Sequence, residues 1–307
     1  MKSIIHSITT VAFLLLVSCN DDEPSRIQNE IYLFNETPCE ILAYDFVSQS
    51  SRVIGRIRVP NWASLITYRN TNRNIFIDIA SNTFLIEARN RENLANYVLV
   101  FDYSNGSLND SILIDDDSAF LGRFFYSSGM NSLVGKRNNT LYKQALSNQN
   151  VEEELFLQGS CGFSHQGVNN DQSLFFNYGC NVTTIFDLKT KEIEILDHYD
   201  VIDQWRGLFS IGLSKNKDFL IGFGLYQRHI PEKPNARNEL YLVKRNLITG
   251  SFEELQIDTD FGLNNGFYDS TKDLYILAHD NELLIYDSNL DLVNSLDIDS
   301  SKFLIQQ

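Results

Sequence analysis

Long apolar runs are missing from the chain beyond residue 19, and proline is scarce, with 5 residues among 307. Because a membrane-spanning helix needs about 20 consecutive apolar residues, their absence excludes such a helix from the mature protein. The composition is otherwise globular, with 43% hydrophobic and 21% charged residues, and this excludes general disorder. The sequence therefore predicts a folded chain that, as one domain, has the size of a closed all-β fold.

Basic residues are also few, since 25 lysines and arginines stand against 40 acids and give a formal net charge of −15. Removing residues 1–18 takes away one lysine and no acid, so the mature chain carries −16. Such a surface repels phosphate backbones and shows no basic stripe. We therefore expect no nucleic acid among the partners, and the acidity itself, a common solubility device, indicates no ligand.

Motifs for catalysis and metal binding are missing as well. The chain contains no G-x-S-x-G elbow, no sialidase-type S-x-D-x-G-x-T-W box and no H-x-H or H-E-x-x-H spacing. The mature chain has four histidines, His165, His198, His229 and His279. His165 falls in a predicted inner strand, where a hydrogen-bonded channel residue is a commoner role than a metal ligand. The sequence thus predicts no catalytic residue, no metal and no cofactor.

The N-terminus has the form of an export signal. Lys2 supplies the positive charge, residues 11–17 form the apolar core, and Leu16-Val17-Ser18-Cys19 follows at once. This tetrapeptide resembles the bacterial lipobox, whose cysteine is diacylated and becomes the new N-terminus; an ordinary secretory signal is the alternative. The resemblance implies that Cys19 anchors the mature protein to a membrane without spanning it.

Acidic residues follow Cys19 in the run Asn20-Asp21-Asp22-Glu23-Pro24. This run resembles the export tag of Bacteroidetes-type surface lipoproteins, which implies the outer face of the outer membrane. A polar tether that leaves the protein on the periplasmic face is the alternative. The predicted organisation is a signal peptide over 1–18, a lipidated cysteine with an acidic tether over 19–28, and a single folded domain over 29–307.

Three further cysteines remain, Cys39, Cys161 and Cys180. Outside the cytoplasm a pair close in sequence can persist as a disulfide, and Cys161 and Cys180 flank one predicted strand pair. We expect a Cys161–Cys180 bridge, with two buried free thiols as the alternative, and an unpaired, buried Cys39. No C-x-x-C motif or partnering histidine is present, so zinc binding is not predicted.

A pattern of four short strands repeats along the chain, and its clearest copy covers residues 266–298. Its third strand ends in an aromatic–Asp step that recurs at Tyr44-Asp45, Phe101-Asp102, Phe186-Asp187 and Tyr286-Asp287, with degenerate copies over 141–144 and 242–245. The spacing, roughly 40 to 60 residues, is typical of the blades of a β-propeller. Because aspartate caps turn amides, we expect these aspartates to be structural.

Complete units lie over 62–114, 118–157, 162–196, 206–257 and 266–298. Residues 29–58 supply only three strands and residues 302–305 supply one more, so both ends of the chain together predict a sixth blade. Pairing them would cover two strand edges that are otherwise open to aggregation. The predicted fold is all-β, a six-bladed β-propeller of four-stranded antiparallel blades closed by the C-terminal strand. Five blades are the alternative if that strand does not pair.

Ligand contacts are expected from aromatic residues near a propeller mouth, because such rings stack on sugars and grip peptide side chains. The candidates are Trp62, Tyr68, Tyr126, His165, Trp205 and Arg206. Burial between blades is the alternative for the aromatic ones. The proline-containing stretch 228–238 is a predicted loop on the same scaffold.

In its lipobox, acidic tag and six-blade pattern, the chain resembles the six-bladed propeller lipoproteins of the Bacteroidetes type. That family is largely of unknown function, so the resemblance implies a fold and a lipid anchor but no catalytic residue. The first hypothesis is a non-enzymatic module that binds a protein or a glycan outside the cell. The alternative is a glycosidase, lyase or lactonase whose acids and His165 gather at the channel mouth.

Overall fold

The computed structural model describes residues 29–66, 75–114, 124–137, 140–147, 151–156, 165–169, 173–179, 182–197, 208–227, 238–258, 265–279, 281–298 and 302–305. Within these residues the chain forms six antiparallel sheets and a single 3-10 turn, Ser128–Met130. The sheets are the blades of a ring, each with its innermost strand beside the central axis. The all-β, six-bladed prediction is confirmed.

The strands follow the chain from blade 1 to blade 6. Blade 1 contains β1 (Glu30–Asn35), β2 (Glu40–Asp45) and β3 (Ser50–Arg56). Blade 2 contains β4 (Ala63–Leu65), β5 (Ile75–Asp78), β6 (Thr83–Asn90), β7 (Asn96–Asp102) and β8 (Ser107–Ile114). Blade 3 contains β9 (Phe124–Ser127), β10 (Ser132–Arg137), β11 (Thr140–Ala145) and β12 (Val151–Phe156).

The second half of the ring is built in the same way. Blade 4 contains β13 (His165–Asn169), β14 (Leu174–Gly179), β15 (Val182–Asp187) and β16 (Ile193–Asp197). Blade 5 contains β17 (Leu208–Leu213), β18 (Phe219–Gln227), β19 (Asn238–Asn246) and β20 (Phe252–Asp258). Blade 6 contains β21 (Asn265–Asp269), β22 (Leu274–His279), β23 (Glu282–Asp287) and β24 (Leu292–Asp297). The last strand is β25 (Lys302–Leu304).

The middle strands of the blades are apolar on both faces, because each blade is covered by a neighbour on either side. Four consecutive residues are buried in β2, Ile41–Tyr44, and four in β23, Leu283–Tyr286. The fourth strands lie at the rim and are polar, so that no residue of β24 is fully buried. This contrast between middle and outer strands is what makes the blades recognisable in the sequence.

Successive residues of one strand point to opposite faces, so each middle strand serves two cores. In β1, Ile31 and Leu33 pack against blade 6, whereas Tyr32 and Phe34 pack against blade 2. Equivalent apolar clusters lie between blades 2 and 3, 3 and 4, 4 and 5, and 5 and 6. Apolar packing therefore joins every neighbouring pair of blades, including the last and the first.

The C-terminal strand takes the innermost position of blade 1. In β25, Leu304 lies opposite Leu33 and Phe303 lies opposite Phe34 of β1. The amide of Ile305 donates to the carbonyl oxygen of Tyr32 at 3.0 Å. This pairing is the contact that the predicted closure requires. That the strand holds the ring closed stays a prediction, and a truncation tests it below.

The inner strand of blade 2 is interrupted. Both β4 and β5 pair with β6, with Leu65 opposite Ala88 and Ile75 opposite Ile86. Between these two pairs β6 covers two positions, 88 to 86, whereas the opposing chain covers ten, 65 to 75. The opposing chain therefore has eight residues more than β6 between β4 and β5. The sequence predicted one unit over 62–114, and the structure shows that its innermost position is shared by two short strands.

The repeated aspartates cap the turns between third and fourth strands, as predicted. Asp45 Oδ1 accepts the amides of Val47 and Ser48 at 2.9 and 3.0 Å, and Asp187 Oδ1 accepts those of Lys189 and Thr190 at 2.8 and 2.9 Å. Asp102 and Asp287 accept turn amides in the same way. These carboxylates are therefore used to satisfy backbone donors.

In the two degenerate copies, residues 141–144 and 242–245, the sequence pattern places the turn-capping position one residue too early. In blade 5 the capping residue is Asn246, whose Oδ1 accepts the amides of Ile248 and Thr249 at 2.9 Å. In blade 3 the equivalent position is Ala145, opposite Ser132. The prediction aligned the leucines of each copy, whereas the turn fixes the register of the strand pair.

Candidate functional site

The inner strands all run in the same direction along the axis, which gives the ring two distinct faces. On the upper face the inner strands begin, near Ala63, Phe124 and Asn265. On the lower face they end and turn into the second strands, near Asp78 and Asp269. A ligand at either mouth would meet residues from several blades, because each inner strand comes from a different blade.

Two of the predicted site residues lie at the start of inner strands, on the upper face, in blades 2 and 4. Trp62 directly precedes β4, and His165 is the first residue of β13, opposite Tyr178. Tyr68, Trp205 and Arg206 lie outside the described residues. The same holds for Cys19 and for the predicted Cys161–Cys180 disulfide.

Tyr126 belongs to the core instead of a mouth. Its side chain is 1% exposed in the cluster between blades 2 and 3, and its hydroxyl donates to Asn131 Oδ1 at 3.1 Å. Burial, together with the nearby Asp78 carboxylate, raises the pKa of Tyr126, so the hydroxyl stays a neutral donor. Tyr126 is therefore buried between blades, which is the alternative role that the sequence left open for the aromatic candidates.

Cys39 is free and half-buried beside the core between blades 1 and 2. Its Sγ lies 3.0 Å from the carbonyl oxygen of Glu36, and burial raises the pKa of the thiol above its ordinary value. The prediction that Cys39 is unpaired is confirmed, whereas the predicted burial is only partial. A raised pKa keeps the sulfur in its less reactive thiol form.

Trp62 forms an aromatic pair with a residue that the sequence did not single out. The rings of Trp62 and Tyr97 meet edge to face, with their centroids 5.2 Å apart, and both side chains are half-buried. Tyr97 lies at the start of β7, on the same face as the start of β4. Each ring rests on the core between blades 1 and 2, so the pair is a fixed platform at the upper face.

Two arginines lie near this platform along the backbone, but Arg89 projects from the opposite face of the sheet, because it follows Ala88, which packs with Tyr97 on the blade 1 side. The amide of Arg91 donates to the carbonyl oxygen of Trp62 at 2.8 Å, and Arg89 Nε donates to the carbonyl oxygen of Leu94 at 3.0 Å. Arg89 and Arg91 are exposed, and Leu94 is 58% exposed. We call Trp62 and Tyr97 the upper patch. Its rings are half-buried and partly exposed, and aromatic surface of this kind stacks on sugar rings and apolar side chains.

The lower face contains a buried polar cluster that joins three blades. Asn169 Nδ2 of blade 4 donates to the carbonyl oxygen of Leu213 in blade 5 at 3.2 Å. Ser270 Oγ of blade 6 donates to Asn169 Oδ1 at 2.8 Å. The contact between Asn169 and Ser270 joins blades 4 and 6, which are not neighbours in the ring.

Next to Ser270 lies a buried ion pair. Lys272 Nζ is 2.6 Å from Asp269 Oδ2, and both side chains are at most 5% exposed. Burial alone would raise the pKa of Asp269, but the Lys272 ammonium and the donors of Thr271 outweigh it and hold that pKa below its ordinary value. Lys272 also lies over the ring of Tyr32, 5.8 Å from the centroid.

Two acids at the ends of inner strands on the lower face, Asp269 and Asp78, bind backbone amides of their own turns. Asp269 Oδ1 accepts the amides of Thr271 and Lys272, and Asp78 Oδ1 accepts those of Ala80 and Ser81. Among the residues with described positions, no three His, Cys, Asp or Glu side chains are grouped so that they could hold a metal ion.

Six four-stranded blades in a ring define a six-bladed β-propeller. No protein-family model and no curated protein matches this chain. Similar solved structures include an oligogalacturonate lyase in complex with manganese, at 12% identity over 77% of this chain and 67% of that chain, with a TM-score of 0.48.

Two further structures are similar over most of their length. A candidate 6-phosphogluconolactonase from Bacteroides uniformis is 10% identical over 91% of this chain and 97% of that chain, with a TM-score of 0.48. Hydrazine synthase from Kuenenia stuttgartiensis is 10% identical over 88% of this chain and 84% of that chain, with a TM-score of 0.49. None of these likenesses assigns an activity to this chain. In the described part of the chain, no helix is long and apolar enough to cross a membrane.

Proposed function

We propose that the chain is a lipid-anchored, non-enzymatic binding module that presents the upper face of its propeller to a protein or glycan outside the cell. The observation that carries this proposal is the Trp62–Tyr97 pair, two half-exposed rings held edge to face at 5.2 Å. Aromatic rings held rigidly at a surface lose little conformational entropy on binding, and they dominate the energetics of many interfaces.

The use of the described carboxylates supports binding over catalysis. A glycosidase or lyase needs acids that face a substrate and exchange protons with it. Asp269 instead accepts two backbone amides and the Lys272 ammonium, and its lowered pKa favours the ionised form. An acid held in this way is a poor proton donor at neutral pH.

The anchor is proposed from the N-terminal sequence. Acylation of Cys19 would hold the domain to the outer membrane, and residues 20–28 would span at most about 30 Å when fully extended. Over that distance their four formal charges keep the tether solvated. We favour the outer surface, where the upper face would be open to external ligands.

Lipidation is tested by the variant Cys19→Ala. With radiolabelled palmitate in a bacterial host that expresses the full chain, the wild-type protein is expected to carry label and to sediment with membranes. The variant is expected to lose the label and to retain its signal peptide. Cys39→Ala is the matched control and is expected to behave like the wild type. Equal labelling of wild type and Cys19→Ala would overturn the proposed anchor.

Ligand binding is tested with the soluble fragment 25–307 on a glycan array and in isothermal titration with the glycans that it retains. Trp62→Ala is expected to weaken binding by about 10- to 100-fold, because removal of an aromatic anchor costs on the order of 2 kcal/mol. Tyr142→Ala, which removes a half-buried ring from β11 in another blade, is the matched control. Unchanged binding by Trp62→Ala would contradict the proposal.

The enzymatic alternative has its own readout. If fragment 25–307 turned over a polysaccharide or a lactone in a metal-dependent manner, the binding proposal would be replaced by a propeller enzyme with acids and His165 at the channel mouth. The assay separates the two functions because a binding module leaves the ligand chemically unchanged.

A further inference from the structure

We infer that the outer strand of blade 4, β16 (Ile193–Asp197), binds an extended segment of another protein in which apolar and basic residues alternate. The segment adds to the blade as a fifth strand. This site lies at the rim of a different blade from the upper patch, so the inference goes beyond the proposed function and does not depend on it. Its basis is the regular pairing of β16, its two exposed isoleucines and the acids that alternate with them.

The outer strands of the other five blades are interrupted by β-bulges. Relative to the third strand with which it pairs, each of β3, β8, β12, β20 and β24 contains one extra residue. These extra residues are Ile54, Asn109, Glu154, Ile257 and Val293. A bulge bends and twists an edge strand and so hinders the addition of another strand. Among the six outer strands that the structure describes, only β16 pairs without such a shift, from Val182 opposite Asp197 to Phe186 opposite Ile193.

The backbone groups at the open edge of β16 belong to its two isoleucines. The amide of Asp187 donates to the carbonyl oxygen of Glu192 at 3.0 Å, which sets the phase of the ladder between β15 and β16. In an antiparallel ladder, residues whose backbone groups bond to the partner strand alternate with residues whose groups point away from it. Glu194, two positions further on, therefore also bonds towards β15. Ile193 and Ile195 point their N–H and C=O groups to the other side, where no strand that the structure describes pairs with β16.

The same two isoleucines expose their side chains. Ile193 is 49% exposed and Ile195 is 63% exposed, and no other large apolar side chain in a described strand is more exposed than Ile195. Because they lie opposite Phe186 and Thr184, both project from the face of the blade that is turned towards blade 3. Apolar side chains of an added strand would cover them on this face and remove their surface from water.

Acidic residues alternate with the isoleucines. Glu192 and Glu194 are exposed and project from the opposite face of the blade, which is turned towards blade 5. The contact of Glu194 with Lys217, 3.7 Å between Oε2 and Nζ, is itself exposed and leaves the carboxylate accessible. Basic side chains of an added strand would form cross-strand pairs with these carboxylates. A segment in which apolar and basic residues alternate is therefore complementary to residues 192–195 on both faces.

A second copy of this chain fits the edge of β16 less well than a basic segment does. Antiparallel pairing of two β16 strands would place Glu192 and Glu194 of both copies on one face of the joined sheet, where like charges repel. Each copy also carries a formal net charge of −15, which opposes their association. The same net charge attracts a basic partner, so charge complementarity favours a segment of another protein.

Fluorescence polarisation with labelled peptides tests the inference on the soluble fragment 25–307, which contains every described strand. The probes are an octapeptide of alternating lysine and valine, the same peptide with glutamate in place of lysine, and two lysine–valine peptides that are N-methylated at every valine or at every lysine. We expect the unmethylated lysine–valine peptide to bind saturably and the glutamate–valine peptide to bind at least tenfold more weakly.

The methylated peptides report on the backbone of the added strand. Only alternate residues of such a strand turn their N–H groups towards β16, so one methylated peptide is expected to lose binding and the other to retain it. In an antiparallel arrangement the valines lie opposite Ile193 and Ile195, and the valine-methylated peptide is the one that fails.

Variants of the chain locate the site. Ile195→Pro removes an outward N–H without breaking a bond to β15, and it is expected to weaken binding of the lysine–valine peptide at least tenfold. Ile193→Thr with Ile195→Thr keeps the strand propensity, removes exposed apolar surface and is expected to weaken binding about threefold to tenfold. Leu292→Thr with Val293→Thr changes two exposed apolar residues of the bulged strand β24 and is the matched control, with unchanged binding expected. Thermal melting verifies that each variant is folded.

Equal binding of the two methylated peptides would overturn the inference, because attraction by charge alone does not depend on which amides are blocked. Unchanged binding in both isoleucine variants, or no saturable binding of the lysine–valine peptide up to about 1 mM, would also overturn it. So would a dimer of the fragment in size-exclusion chromatography that Ile195→Pro dissociates, since a second copy would then occupy β16. The glycan array and Trp62→Ala decide the proposed function separately.

Discussion

Replacement of Lys272 by Met is expected to lower the free energy of unfolding by about 3–5 kcal/mol, since removal of one partner of a buried ion pair leaves an uncompensated charge. Lys272 and Asp269 are 2.6 Å apart and at most 5% exposed. Met keeps the apolar length of the lysine side chain, so the loss reports on the charge. For a domain of this size the melting temperature should fall by roughly 10 °C.

Two further variants show whether the loss of stability in Lys272→Met comes from the removed charge. The double variant Asp269→Asn with Lys272→Met removes both charges and is expected to recover at least half of the lost stability, because no uncompensated charge is then left buried. Lys189→Met removes an exposed lysine from a turn of blade 4 and should change stability by less than about 0.5 kcal/mol. A double variant no more stable than Lys272→Met would contradict the charge explanation.

The pH dependence follows from the lowered pKa of Asp269. A carboxyl whose folded pKa is depressed contributes stability that is present above its unfolded pKa and lost as pH falls through the folded value. The unfolded value is near 3.8, so the wild-type contribution persists from pH 7 to about 5. In Lys272→Met the buried Asp269 protonates more easily, so the difference in free energy of unfolding between the wild type and the variant should narrow as pH falls towards 3. Denaturant titrations at several pH values measure this difference.

The blades were predictable because they obey a local rule. Middle strands such as Ile41–Tyr44 are apolar on both faces, outer strands are polar, and a capping aspartate marks the turn between them. Each of these signals lies within a few residues of chain. The pattern fails where the aspartate is replaced, as at Ala145 and Asn246, because a strand that is apolar on both faces shows no alternation from which its register can be read.

The candidate site was less predictable, because its residues meet through pairing across the sheet. Trp62 was expected at a mouth, but its partner Tyr97 lies 35 positions further along and joins it only through the registers of β4, β6 and β7. Tyr126 resembles Trp62 in sequence context, yet it is buried because it follows Phe124 and Phe125 in a two-sided inner strand.

Deletion of residues 302–307 is expected to leave most of the chain unfolded or aggregated. The deletion removes three buried side chains, Phe303 (8% exposed), Leu304 (4%) and Ile305 (0%), each worth about 1.5–3 kcal/mol of burial. The sum is comparable with the whole stability of a typical domain, about 5–15 kcal/mol. The deletion also uncovers the edge of β1, which then becomes a template for association between chains. Thermal melting and size-exclusion chromatography measure both effects.

Two control variants distinguish the loss of the pairing between β25 and β1 from the mere shortening of the chain. Deletion of residues 306–307 alone should leave the melting temperature unchanged, because the pairing with β1 ends at Leu304 and the last backbone bond is made by Ile305. Leu304→Asp keeps the full length but places a charge in the core between blades 6 and 1, and it should destabilise the protein nearly as much as the deletion. A chain lacking 302–307 that elutes as a monomer and melts within about 2 °C of the wild type would show that apolar packing between blades 6 and 1 closes the ring without this strand.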